Sequence, residues 1–173
     1  PCIAWACWSI RQENSDANVV VTPADAVVMN PVEFRRVIGN ALEFTQQSDA
    51  IVTVGIKPSR PETGYGYVET SETVSGEICS VKEFKEKPNL ETAKEYISKG
   101  NYLWNAGIFV WNVNTIVNAL RIYQPGISQI FEDLLPYYGT PQQQEVINRD
   151  FPKCENISVD YAILEKAEEI FVF

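Results

Sequence analysis

The sequence predicts an α/β fold with a mixed, mainly parallel sheet flanked by helices. Two stretches, residues 18–22 (NVVVT) and 50–56 (AIVTVGI), are unbroken β-branched and apolar runs of the kind buried on both faces of a sheet. Between them, residues 30–47 carry helical periodicity, so strand, helix and strand follow one another as a βαβ unit, whose crossover is almost always right-handed. A third signal makes the sheet mixed: residues 65–70 and 77–87 alternate in character and are joined by a turn ending at Gly76, which marks an antiparallel excursion.

Each element has a local cause. Residues 1–14 place Ile3, Ala4, Ala6, Cys7 and Ile10 on a helix with proline in its first turn. The strand at 18–22 stops at Pro23-Ala24-Asp25-Ala26, so Asp25 sits just past its carboxyl end, where open α/β sheets bind ligands. Asn30-Pro31-Val32-Glu33 has cap, first-turn proline and an acid three residues on, and the helix is expected to bury Val32, Phe34, Val37, Ile38 and Leu42. Residues 57–66 (KPSRPETGYG) read as a loop, in which Gly64 and Gly66 permit either a turn or the close approach of a ligand. Asn112 caps a helix through residue 123, Pro125-Gly126 opens another, and Pro141 starts a shorter one; these read as covering helices. Ser158 caps a last helix with Asp160 in its first turn, a position favourable to a carboxylate on structural grounds alone. Residues 169–173 are an apolar strand that needs a partner.

Composition bounds the function. The 173 residues suit one domain with a proper core, and 45% hydrophobic with 21% charged residues is ordinary for a globular protein. A net charge of -9, from 14 Lys and Arg against 23 Asp and Glu, argues against nucleic acid as a partner. No apolar run approaches the roughly 20 residues that span a bilayer, and no basic-plus-apolar leader is present, so a cytoplasmic protein without a membrane partner is expected. The chain has no histidine, which removes triads built on an imidazole base and makes a zinc site at Cys2, Cys7, Cys79 and Cys154 improbable. Exposed apolar edges make a homodimer an open expectation.

Residues 80–112 concentrate the chemistry. Phe84-Lys85-Glu86-Lys87-Pro88 ends a strand with a carboxylate beside an ammonium, and Pro88 biases Lys87 toward extended backbone. Asn89 caps a helix that Gly100 terminates. Residues 102–111 form an apolar strand interrupted by Asn105 and Gly107, a polar group and a gap that suit a ligand passing over the strand. Glu86 and Lys87 equally fit a solvated strand end, and Asn105 a core amide bonded to backbone.

Taken together, Pro23-Ala24-Asp25, Thr63-Gly64-Tyr65-Gly66-Tyr67-Val68-Glu69, Phe84-Lys85-Glu86-Lys87-Pro88, Gly100-Asn101-Tyr102-Leu103-Trp104-Asn105-Ala106-Gly107-Ile108-Phe109 and Ser158-Val159-Asp160-Tyr161-Ala162-Ile163-Leu164-Glu165-Lys166 resemble, in order, the motifs of mannose-1-phosphate guanylyltransferases, or GDP-mannose pyrophosphorylases. The resemblance spans nearly the whole chain. It implies a Rossmann-like sheet of the nucleotide-diphospho-sugar transferase type and a reaction joining mannose 1-phosphate to GTP with release of pyrophosphate. By the same resemblance Asp25 and Asp160 would hold Mg²⁺, with Lys87 the third catalytic residue, and Gly66, Glu86, Lys87 and Asn105 would line the sugar-phosphate site. The physical demands agree, because two anionic reactants need charge neutralisation and alignment rather than an imidazole.

Two departures accompany the resemblance. The family's glycine-rich signature loop lies before the segment with which this chain opens, and Ala26 stands where the family often has histidine. Residues 1–173 are therefore expected to be a partial nucleotidyltransferase domain, weakly active or inactive alone. A pyrophosphorylase for another sugar 1-phosphate and a non-catalytic subunit that binds nucleotide sugars are the alternative readings.

Overall fold

Local chemistry starts and stops most elements where the sequence leads one to expect them. The computed structural model describes residues 1–173. In chain order the elements are α1 (Cys2–Glu13), β1 (Asn18–Val21), α2 (Pro31–Gln46), β2 (Ile51–Ile56), β3 (Tyr67–Ser75), β4 (Ile78–Lys85), α3 (Leu90–Lys99), β5 (Tyr102–Asn112), α4 (Val113–Tyr123), α5 (Pro125–Asp133), α6 (Gln143–Asp150) and β6 (Ile170–Val172). The Asn30 side chain accepts from Glu33 N at 3.2 Å to cap α2, and Asn89 accepts from Thr92 N at 2.9 Å to cap α3. Asn112 does the same for α4, accepting from Asn114 N at 2.9 Å.

The chain divides into two compact units, Pro1–Val19 with Asn112–Lys166, and Val20–Trp111 with Ala167–Phe173. The first is helical. Its core gathers Trp8, Ile116, Val117 and Phe131, all fully buried, with the Trp8 and Phe131 rings 5.8 Å apart. The segment after Ser158 corrects one expectation: instead of an α-helix, Asp160–Leu164 forms a π-turn in which Glu165 N donates to Asp160 O at 3.0 Å. Ser158 Oγ still accepts from Tyr161 N, at 3.4 Å.

The second unit is built on the sheet, in the strand order β1-β5-β2-β6-β4-β3, and β3 also pairs with β5. That extra pairing closes β5, β2, β6, β4 and β3 into a barrel-like ring. The expected mainly parallel, Rossmann-like sheet is therefore corrected: β2 and β6 run parallel, while β2–β5, β3–β4, β3–β5 and β4–β6 are antiparallel. The reasons are topological. β5 inserts between β1 and β2, so the two strands of the βαβ unit are not neighbours. The β3–β4 connection is a two-residue Gly76-Glu77 turn, with Ser75 opposite Ile78, which permits only antiparallel pairing. The terminal strand finds its partners in β2 and β4.

Helices α2 and α3 cover this sheet through separate clusters. Ala41 of α2 packs with Ala50, Val52 and Val110, joined by Ile38, Leu42 and Phe44. Ala93 and Tyr96 of α3 pack with Tyr67, Tyr102 and Trp104. Val32, expected in the core, is 77% exposed, because the contact of α2 with the sheet begins further along the helix, at Ile38.

One irregularity in β5 prepares the site. Thr53 faces Phe109 and Gly55 faces Asn105, so four steps along β5 span two along β2. The surplus is a bulge at Ala106-Gly107-Ile108, where Gly107 takes a φ of 69° that a side chain would strongly disfavour.

Candidate functional site

The bulge in β5 decides how Asn105 is held. Its main-chain N–H donates to Gly66 O at 2.8 Å, tying β5 to the end of the glycine-containing loop. Its side-chain Oδ1 accepts from Thr53 Oγ1 at 2.7 Å and from Gly107 N at 3.1 Å. A backbone N–H only donates, so the atom beside Gly107 is the oxygen and Nδ2 is the donor end of the amide. The core-amide reading of Asn105 therefore holds at its oxygen, which accepts from a buried hydroxyl and a backbone N–H.

Gly66 is buried, and its φ is outside the left-handed region. What requires glycine there is space. A Cβ on Gly66 would collide with Glu86 Oε2, stand 3.2 Å from Phe84 Cζ and 3.5 Å from Asn105 Cβ. The Glu86 carboxylate therefore lies over the glycine backbone with Asn105 alongside. Glu86 Oε1 also pairs with Lys87 Nζ at 3.0 Å, the glutamate side chain 11% exposed and the lysine 58%. The acceptor is sunk in the corner and the cation stands at its rim.

Lys87 overturns the expectation of extended backbone before proline. Its φ of 47° is the only positive value at a non-glycine residue, a conformation that costs about 1–3 kcal/mol and clusters at functional sites. Lys87 N donates to Tyr65 O at 3.2 Å, so the lysine turn is stapled to the residue before Gly66.

The loop that delivers Gly66 is built by residues that sequence reasoning passed over. Glu62 Oε1 accepts from Thr63 N and Gly64 N, each at 3.1 Å, and Arg60 pairs with the same carboxylate at 3.1 Å. The Gly64 N–H, then Arg60, hold the Glu62 carboxyl below its ordinary range. The Tyr67 hydroxyl donates to Glu62 O at 2.9 Å. The Arg60 guanidinium lies 5.5 Å from the Trp104 ring centre, and Tyr65 meets the same ring edge-on at 5.3 Å. Behind this, the buried Glu69 accepts from Lys82 Nζ at 3.2 Å and from Asn101 Nδ2 at 3.1 Å. Burial raises the Glu69 pKa, but Lys82, Asn101 and Tyr102 outweigh it and the net shift is downward.

The fold thus brings together four of the residues singled out in the sequence: Gly66, Glu86, Lys87 and Asn105. Asp25 belongs to the same unit, on an exposed turn where Ala26 N donates to Pro23 O at 3.4 Å. Pro23 Cγ lies 3.4 Å from where a Cβ on Gly107 would stand, which puts the Asp25 turn against the β5 bulge. The Asp25 carboxylate makes no ion pair. Asp160 is half-buried at the start of the π-turn, in the other unit. Thr53 is the residue the sequence concealed: in a β-branched run its hydroxyl reads as strand propensity, not as a hydrogen-bond donor. Chemically, the corner offers a sunken acceptor, an amide donor beside it and an exposed cation, a set suited to a polyol carrying an anionic group.

Residues 1–164 match the family model described as nucleotidyl transferase. The chain is 33% identical to a mannose-1-phosphate guanylyltransferase of Escherichia coli over 99% of its length, and covers 38% of that protein. It is 31% identical to mannose-1-phosphate guanylyltransferase RfbM of Salmonella typhimurium, again over 99% of the chain and 36% of the relative. The chain thus spans little more than a third of the curated relatives it matches. Among solved structures, one described as a mannose-1-phosphate geranyltransferase from Thermus thermophilus superposes with a TM-score of 0.83 at 31% identity, covering 97% of this chain and 47% of that one. A Helicobacter pylori protein described as a mannose-6-phosphate isomerase shares the fold, with a TM-score of 0.78 at 23% identity over 98% of this chain and 65% of that one. The fold is the α/β architecture of these proteins, and with the family model matched from Pro1 to Leu164 the chain belongs to the nucleotidyl transferase family.

Proposed function

We propose that the chain is the central, sugar-phosphate-binding part of a mannose-1-phosphate guanylyltransferase, which joins mannose 1-phosphate to GTP and releases pyrophosphate. One observation carries this reading: the Glu86 carboxylate lies over Gly66, beside the Asn105 amide and in contact with the Lys87 ammonium. Sugar hydroxyls would donate to Glu86 and accept from Asn105 Nδ2, which fixes the ring. The Lys87 ammonium would face the sugar's phosphate, offsetting charge as a phosphate oxygen attacks the α-phosphorus of the nucleotide and pyrophosphate departs. Specificity for mannose and guanine is supported by the identity to the Escherichia coli and Salmonella typhimurium enzymes.

The family reading implies Mg²⁺. The exposed, unpaired carboxylate of Asp25 at the end of β1 fits a hard cation that takes one or two carboxylates, with phosphate oxygens and water completing its shell. Asp25 would contribute a carboxylate to the ion, which when bound supplies charge neutralisation on the phosphates. Residues 1–173 would then form a partial nucleotidyltransferase domain of a cytoplasmic protein, weakly active or inactive by itself. No helix is long and apolar enough to cross a membrane.

The test is pyrophosphate release by the full-length protein with mannose 1-phosphate against glucose 1-phosphate, and with GTP against ATP, UTP and dTTP. Turnover restricted to mannose 1-phosphate and GTP is expected. Preference for another pair would reassign the substrate. Binding of GDP-mannose without any turnover would mark a regulatory subunit instead.

A further inference from the structure

We infer that Glu62 is a positioning residue of this site, one whose carboxylate sets the turn that carries Tyr65 and Gly66 to the sugar phosphate; the inference rests on the functional reading above. Residues 60–66 belong to no helix or strand, so their N–H groups have no ladder to join and need other acceptors. Glu62 supplies one. Its Oε1 accepts from Thr63 N and Gly64 N, each at 3.1 Å, and its Oε2 from Arg60 Nη2 at 3.1 Å and Nε at 3.2 Å. One carboxylate thus takes four hydrogen bonds, which matches the roughly four lone-pair sites it offers.

The bonds are local, but what they hold is not. The two residues after Gly64 give their carbonyls to the residues of the site: Tyr65 O accepts from Lys87 N at 3.2 Å, and Gly66 O from Asn105 N at 2.8 Å. The segment is therefore fastened at its start by the Glu62 side chain and at its end by two main-chain bonds to the site. The buried Tyr67 hydroxyl donates to Glu62 O at 2.9 Å, which fixes the main chain of Glu62 as well. Between these fastenings the place of Gly66 has little latitude, because Glu86 Oε2 rests in the space that a Cβ there would take. Without the Glu62 acceptor the N–H groups of Thr63 and Gly64 turn to water, the turn gains freedom, and Gly66 meets Glu86 in a spread of positions. The ion pair is the lesser part of the hold, since Arg60 is 60% exposed and Glu62 27%, and pairs open to water contribute little.

The variants are Glu62→Met, which keeps the length of the side chain and loses both oxygens, and Glu62→Gln, which keeps one oxygen for the two N–H groups and gives up the ion pair. In the full-length protein Glu62→Met is expected to raise KM for mannose 1-phosphate about tenfold, with KM for GTP within about twofold of wild type, and Glu62→Gln to restore most of the loss. In ¹⁵N-labelled protein the main-chain amide signals of Thr63 and Gly64 should move in Glu62→Met. Those of Lys87 and Asn105 should move with them, through their hydrogen bonds to Tyr65 and Gly66, and should stay near their wild-type positions in Glu62→Gln. A folded Glu62→Met with unchanged KM for mannose 1-phosphate, one whose KM for GTP rises as much, or a defect that Glu62→Gln shares in full would overturn the assignment. So would a Glu62→Met that does not fold, which would make the role structural alone. Should wild-type protein not bind mannose 1-phosphate, the functional reading fails separately, while the Lys87 and Asn105 signals still decide whether Glu62 sets the turn.

Discussion

Glu86 Oε2 occupies the space above Gly66 in which any larger residue would carry its Cβ. The two residues are twenty positions apart and belong to the ends of different chain segments, yet each is meaningful only with the other. Gly66→Ala pushes against the far end of a flexible side chain, so the Glu86 carboxylate moves rather than the backbone. We expect a change in stability of about 1 kcal/mol or less, together with a fall of about 10- to 100-fold in kcat/KM for the sugar phosphate. Thermal unfolding and steady-state kinetics measured on the same preparation separate the two effects.

Lys87 holds a backbone conformation that glycine would adopt without strain. Lys87→Gly should therefore leave the melting temperature unchanged or raise it, since relief of strain offsets the greater freedom of glycine in the unfolded chain. Activity should fall by about 100-fold or more, because the ammonium at the rim is gone. Lys87→Ala should lose the same activity without the gain in stability. A Lys87→Gly variant that retains turnover would remove Lys87 from the machinery.

The secondary structure was largely legible in the sequence, because caps and periodicity are local signals. Asn30, Asn89 and Asn112 announce their helices, and the β-branched runs announce β1 and β2. Which strands would lie together was not legible. The insertion of β5 between β1 and β2, and the return of β3 to β5, are set by distant pairings that no short window encodes. Local bias also failed at Lys87, where the Tyr65 carbonyl and the Glu86 pair override the preference of a residue before proline. Glu86, Lys87, Gly66 and Asn105 were readable because charge, turn residues and an amide stand out against apolar strands. Thr53 was hidden because threonine suits a strand equally well for its shape.

Glu69 gives the scaffold a pH signature. Its folded pKa lies below the ordinary 4.5, because Lys82, Asn101 and Tyr102 together overcome the cost of burial. A depressed carboxylate contributes stability that is fully present above the unfolded pKa and lost as pH falls through the folded one. At pH 7 Glu69→Gln should melt at a lower temperature than wild type, and the gap should close as pH is lowered past 4.5. Melting curves at several pH values measure it, and a gap independent of pH would show that the charge is not what stabilises.

Asp25 carries the expected dependence on a divalent cation within its unit. Asp25→Asn should lower kcat/KM by about 10- to 100-fold and raise the Mg²⁺ concentration needed for half-maximal rate. Titrating Mg²⁺ against initial rate in wild type and variant measures the shift. Equal Mg²⁺ requirements in the two would take Asp25 out of the metal site.

The most direct test is whether mannose 1-phosphate seats in the corner formed by Gly66, Glu86, Lys87 and Asn105. Titrated into ¹⁵N-labelled protein in the presence of Mg²⁺, it should shift the main-chain amides of Gly66, Lys87, Asn105 and Gly107 in a saturable, concerted way, and Lys87→Ala should weaken the response. Saturable binding that moves other amides while leaving these four in place would contradict the assignment of the site.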